Sequence, residues 1–238
     1  MTMAGTLYLV PNLLGVVPPE AVLPARTLEV ARGLERWAVE TPKAARAFLK
    51  AIVVGRPIAE LAMSTLSSSV ADAESGPALR ALRDGHDVGL LSDAGCPGVA
   101  DPGAALVAAA HAAGDVRVVP LVGPSAVLLA LMASGMNGQQ FAFHGYLPAK
   151  PDARADALRA LERRSGAERC TQLFIETPYR NPAMLTTIAS ALSPTTRVCV
   201  AADLTLPTET IECHAALEWR KHDPERFDKR PAIFLLQA

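Results

Sequence analysis

A carboxylate, a phenol and a guanidinium fall together in the run Glu176-Thr177-Pro178-Tyr179-Arg180, and a lone amine, Lys150, closes the run Gly145-Tyr146-Leu147-Pro148-Ala149-Lys150. Such groups can take a proton from a weak nucleophile or steady the charge that develops on it. They also have plainer uses. Glu176 with Arg180 would serve as an ion pair or helix anchor, and Lys150 as a solvated loop residue. Glu40 faces a cleft from the end of an apolar run or merely begins a helix. A different chemistry is offered by Ser-Asp-Ala-Gly-Cys-Pro-Gly-Val-Ala-Asp-Pro-Gly at 92–103. Its glycines let main chain approach a ligand, and its prolines stiffen what remains. An ordinary strand-to-helix turn, with Asp101 as N-cap and Pro102 at the first helical position, accounts for the end of this loop. It leaves the rest unexplained, since such connections take roughly 2 to 6 residues.

Other chemistries lack their motifs. There is no GxGxxG after the first apolar run, no GxxxxGK, no HExxH and no GxSxG. Ser125 in Val-Gly-Pro-Ser-Ala has no evident His and Asp partners, so it reads as a cap or a backbone-side contact rather than a nucleophile. The 5 histidines are scattered, and the 4 cysteines, Cys96, Cys170, Cys199 and Cys213, form no CxxC pair. Reduced thiols and no metal site are expected.

These groups must be positioned by alternating elements. Short apolar or β-branched runs at 7–10, 37–39, 88–91, 116–119, 172–175, 198–201, 209–213 and 233–236 read as strands. Runs of helical period at 28–36, 44–53, 77–83, 104–113, 125–133, 153–163 and 182–192 read as helices. The fold class is α/β, with a mostly parallel sheet in a first domain, 1–120, and a mixed sheet in a second, 121–238. In such sheets ligands gather at the carboxyl ends of strands. The loop at 92–103 leaves the strand at 88–91 at that end.

With 238 residues, half of them hydrophobic, the chain can bury its own core or cores. Its net charge of −1 gives neither half the basic excess of a dedicated nucleic-acid binder. The basic residues Arg154, Arg159, Arg163 and Arg164, interleaved with acids, read as the solvated face of a helix. The start, Met-Thr-Met-Ala-Gly-Thr-Leu-Tyr-Leu-Val, lacks a signal-peptide pattern and no apolar run reaches membrane-span length, so a soluble cytoplasmic protein is expected.

Six segments in order, TLYLVPNLLG, LLSDAGCPGVADPG, VVPLVGPSAVLLALMASG, FAFHGYLPAK, LFIETPYR and RPAIFLL, resemble the tetrapyrrole methylase superfamily over nearly the whole chain. Within it they are most similar to the ribosomal RNA small subunit methyltransferase I branch, whose members methylate a ribose 2'-hydroxyl. The resemblance implies S-adenosylmethionine as cofactor, held in a cleft between two α/β domains, and a homodimer. It puts the cofactor loop on Asp93, Gly95, Cys96 and Val99, a second contact pair on Ser125 and Ala126, and further contacts on Leu14, Pro231 and Ala232. Lys150 and Glu176 are then the candidates for catalysis, and Glu40, Tyr179 and Arg180 for substrate binding.

Three segments depart from that branch. Val39-Glu40-Thr41-Pro42-Lys43 replaces Ala-Glu-Asp-Thr-Arg, Asn12-Leu13-Leu14-Gly15 replaces Thr-Pro-Ile-Gly-Asn, and a serine-rich stretch from Ser64 to Ser69 replaces an acidic, histidine-bearing one. These changes put the acceptor in question rather than the cofactor. A sulfonium methyl is already activated, so positioning and exclusion of water provide most of the acceleration and no metal is required. The expected substrate is ribosomal RNA or the small ribosomal subunit. The alternatives are a tetrapyrrole or other small acceptor, and a cofactor-binding regulatory module without catalysis.

Overall fold

The computed structural model describes residues 3–238, which divide into two compact units, one ending at Ser125 and one running from Ala126 to Ala238. The first contains strands β1 (Thr6–Leu9), β2 (Arg36–Val39), β3 (Ala62–Thr65), β4 (Val88–Leu91) and β5 (Arg117–Pro120). All pair in parallel in the order β3-β2-β4-β1-β5, with Leu7 opposite Val88 on one side and Val118 on the other. Its helices are α1 (Ala25–Gly33), α2 (Pro42–Ala51), α3 (Val70–Ser75), α4 (Pro77–Arg83) and α5 (Ala104–Ala113).

The period-2 alternation of strands sorts the side chains onto two faces. Trp37, Val39 and Leu91 pack with Leu28 and Ala31 of α1 and Ala45, Phe48 and Leu49 of α2. Leu7, Ala38, Val88 and Leu90 pack with Leu79 and Leu82 of α4 and Leu106, Ala109 and Ala110 of α5. Trp37 fits because β4 carries Gly89 beside it, where a Cβ would lie 2.7 Å from the indole ring. Strand order makes the connections from β1 and β2 step one way and those from β3 and β4 the other. Right-handed crossovers then place their helices on opposite faces, as found. Adjacent β1 and β4 therefore send the chain to opposite faces, and their carboxyl ends form the topological switch point where such sheets bind ligands.

The second unit contains α6 (Ala126–Ser134), β6 (Phe141–Tyr146), α7 (Pro151–Glu168), β7 (Thr171–Ile175), α8 (Asn181–Ala191), β8 (Arg197–Ala202), β9 (Thr210–Ala215) and β10 (Ala232–Gln237). The sheet order is β6-β7-β10-β8-β9, with only β6 and β7 parallel. Phe174 and Phe234 stack at its centre with ring centroids 5.6 Å apart. Leu158, Leu161, Met184, Leu185 and Ile188 cover them.

Several expectations are corrected. Strand β3 has no β-branched run to announce it, and β6 is interrupted by a bulge at which Gly145 takes φ +64°. Helix α3 emerges from the serine-rich stretch because Ser69 caps it, accepting from the Asp72 amide at 3.1 Å. Helix α1 spans Ala25–Gly33 rather than 28–36, since the chain turns extended at Leu34. Helix α7 runs on to Glu168, where Arg169 in the left-handed region stops it. Arg154 is not on a solvated face. With Leu158, Leu161 and Ser165 it forms the buried stripe of α7. Among the described residues no helix is long and apolar enough to cross a membrane.

Candidate functional site

At the carboxyl edge of the first sheet, main chain from three loops is laced together. The Asn12 amide donates to Gly95 O at 2.8 Å, and the Cys96 thiol donates to Pro124 O at 3.4 Å. Gly123 lies so close to Pro11 that a Cβ there would be 2.4 Å from the proline ring. Gly95 takes φ +63° beneath Leu14, and Gly98 takes φ +80°. Both conformations favour glycine, as the sequence required of them. Val99 closes a turn onto Cys96 O at 3.1 Å, and the Gly98 amide donates to Pro102 O at 3.3 Å. Of the expected cofactor residues here, Gly95 is buried, Leu14 and Cys96 are half-buried, and Asp93 and Val99 are exposed. Burial pushes the Cys96 thiol upward, so it is a poor nucleophile.

The altered segments take part in this lacing. Asn12, buried beside β1, directs its Nδ2 to Ser92 O and Asp93 O, both at 3.0 Å, and accepts from the Leu13 amide at 2.8 Å. Glu40 Oε2 accepts from the Asp93 amide at 2.9 Å, and the Thr41 amide and hydroxyl donate to Asp93 Oδ1 at 3.1 and 2.9 Å. Thr41 also caps α2, with Pro42 in its first turn. Sequence reasoning passed over Asn12 and Thr41 because both stand where the resembled pattern is lost. Their signal was position, at the carboxyl ends of strands.

Asp101 does not cap α5 as expected, since Gly103 with φ +135° holds that place. Its half-buried carboxyl is raised to about 6, by burial first and then by the negative charges of Glu40 and Asp93. Glu40, Asp93 and Asp101 form no ion pair among the described residues. The edge thus carries uncompensated negative charge within a frame of main-chain groups.

In the second unit, the Glu176 side chain is fully buried. Its Oε1 accepts from the Thr177 amide at 2.7 Å, from Arg180 Nε at 2.9 Å and from Arg180 Nη2, while Oε2 is sealed without a partner. Tyr179, in the 3-10 turn Pro178–Arg180, is 68% exposed. Lys150 is exposed at the N-cap of α7. Ser125 is buried at the end of the first unit, and Ala126 begins α6. Pro231 O accepts from the Asp203 amide at 2.9 Å, beside buried Ala232 at the start of β10. The histidines are less scattered than their numbers suggest. Glu212, His214 and His222 bring potential ligand atoms within 4.8 Å of one another. Arg226 already hydrogen-bonds both carboxylate oxygens of Glu212, which leaves little there for a cation.

No family model matches the chain. Among solved structures it is similar to the methyltransferase CobJ (TM-score 0.63, 20% identity, 98% of this chain and 94% of that one). It is also similar to uroporphyrin-III-C-methyltransferase from Thermus thermophilus (TM-score 0.56, 18% identity, 98% and 92%). The fold, a parallel five-stranded sheet followed by a mixed one, is that of the tetrapyrrole methylases. Curated proteins go further. The chain is 34% identical over 227 residues to ribosomal RNA small subunit methyltransferase I of Escherichia coli O157:H7, covering 93% of this chain and 74% of that protein. It is 39% identical over 189 residues to that of Micromonospora olivasterospora, covering 79% and 56%. The chain belongs to the ribosomal RNA small subunit methyltransferase I family and is a methyltransferase.

Proposed function

We propose that this enzyme takes its methyl group from S-adenosylmethionine and places it on a ribose 2'-hydroxyl of small-subunit ribosomal RNA. The observation that carries the donor is the carboxyl edge of the first sheet. S-adenosylmethionine supplies, when bound, a methyl on a cationic sulfur and leaves as a neutral thioether. Glu40, Asp93 and Asp101 provide unpaired negative charge suited to that cation. Gly95, Cys96 and Val99 offer main chain for its polar groups, with Leu14 and Ser125 as further contacts.

On the acceptor side, Lys150, Tyr179 and Arg180 bind and orient RNA. A neutral hydroxyl is a weak nucleophile, so an amine such as Lys150 steers the ribose or its phosphate. Glu176 positions Arg180 rather than taking a proton, because its carboxylate is sealed beneath that guanidinium. A near-neutral enzyme suits a folded ribosomal particle recognised by shape and a few phosphate contacts. Such an enzyme works in the cytoplasm, as a homodimer. Helix α6, apolar all round with Leu128 and Met132 exposed, supplies an aliphatic surface for that assembly.

Calorimetry with S-adenosylhomocysteine is expected to give one site per chain at about micromolar strength. No heat or thermal shift at millimolar ligand would overturn the donor assignment. Label from tritiated S-adenosylmethionine appearing in a low-molecular-weight fraction instead of RNA would move the acceptor to a small molecule. The alternative of a module without catalysis is set aside by membership in a methyltransferase family.

A further inference from the structure

Arg154 is 5% exposed, yet it has no ion-pair partner among the described residues. Its Nε donates to Thr187 Oγ1 at 3.0 Å, and Thr187 in turn donates to Ala183 O at 2.8 Å, which fixes the plane of the guanidinium. Nη1 and Nη2 make no hydrogen bond among the described residues and are not sealed from solvent. Burying a cation without a counter-charge is costly, so the position is suited to an anion that arrives from outside. Arg154 lines a groove of 580 Å³ together with Pro151 and Pro182. Those prolines stand in the first turns of α7 and α8, so both helices direct their amino ends at the same groove.

Two other features narrow the ligand. Tyr179 lines the groove while remaining 68% exposed, which offers an open aromatic face. Glu225 and Asp228 also line it, so a bare anion would meet repulsion there, whereas a ligand carrying hydrogen-bond donors beyond its anionic group would find acceptors. Phosphate, a flat ring and exocyclic amino donors together describe a nucleotide. We infer that this groove holds one unstacked nucleotide of the RNA acceptor, its phosphate on Arg154 and its base on Tyr179.

The inference rests on the reading that the acceptor is RNA, and the test separates the two. Small ribosomal subunits from a strain lacking the enzyme are methylated by wild type, Tyr179→Ala, Arg154→Lys and, as a control, Arg163→Ala at an exposed position of α7. The first two variants are expected to raise KM for the subunit about ten-fold, with kcat and S-adenosylhomocysteine affinity retained. Arg163→Ala should match wild type. Tyr179→Ala changes an exposed side chain, so its result does not depend on whether Arg154→Lys folds. Unchanged KM in Tyr179→Ala would overturn the groove while leaving the RNA reading intact. Wild type that labels only small molecules would remove both. In a fluorescence-polarisation assay with fluorescein-labelled hexacytidylate, whose bases carry an exocyclic amino group, cytidine monophosphate should compete weakly. Competition as strong as that of the unlabelled hexamer would assign the groove to a free nucleotide instead.

Discussion

Asn12 and Asp93 are joined across the switch point of the first sheet, the amide nitrogen of one donating to the main-chain oxygen of the other at 3.0 Å. The same nitrogen holds Ser92 O, so one buried side chain fixes where the loop at 92–103 leaves its strand. Asn12→Ala is expected to cost about 1–3 kcal/mol, by leaving those carbonyls without their donor. Asn12→Asp should cost more, since a carboxylate would face two carbonyl oxygens. Urea midpoints measure both. Equal stability of all three proteins would contradict this role.

Asp101 gives a pH signature. Its carboxyl is raised from 3.8 to about 6, by burial first and then by Glu40 and Asp93, so the folded state holds its proton more tightly than the unfolded chain. Stability from this group is therefore lost as pH rises from about 4 to about 6, and is level above that. Asp101→Asn should stabilise the protein relative to wild type at pH 7 and lose that advantage near pH 4. A difference between the two proteins that stays constant with pH would contradict the assignment. Binding of a cationic donor should also tighten over the same interval in wild type, and less so in Asp101→Asn.

The loop at 92–103 was legible because its glycines and prolines are a local cost that only a particular backbone path requires. Gly95 and Gly98 take positive φ as that reading demanded. The layered α/β order was legible for the same kind of reason, since periodicity is local. What stayed hidden depends on partners distant in sequence. Arg154 looks like one of several helix-surface arginines until Leu158 and Leu161 fix which side of α7 is buried. Asp101 resembles an N-cap until Gly103 takes that place and Glu40, from another strand, comes near it. Strand β3 carries too little β-forming character to be read alone and exists because β2 pairs with it.

Glu176 and Arg180 form a pair in which the carboxylate is fully buried and the guanidinium only partly so, and its members should not be separable. Arg180→Met leaves a fully buried carboxylate without its cation and is expected to cost about 3–5 kcal/mol. Adding Glu176→Gln to that variant should recover part of the loss. A double variant less stable than Arg180→Met alone would contradict the pairing.

For the proposed dimer, Met132→Glu places a charge on the exposed aliphatic face of α6. Light scattering should give a dimer for wild type and the 25.0 kDa monomer for the variant. Monomeric wild type at all practical concentrations would rule the assembly out.

The central claim, methylation of small-subunit RNA at a ribose, is tested most directly by deleting the gene, digesting both ribosomal RNAs and comparing nucleoside masses with the parent strain. One 2'-O-methylated nucleoside of the small-subunit RNA should disappear and return when the gene is restored. An unchanged ribose-methylation map would contradict the account.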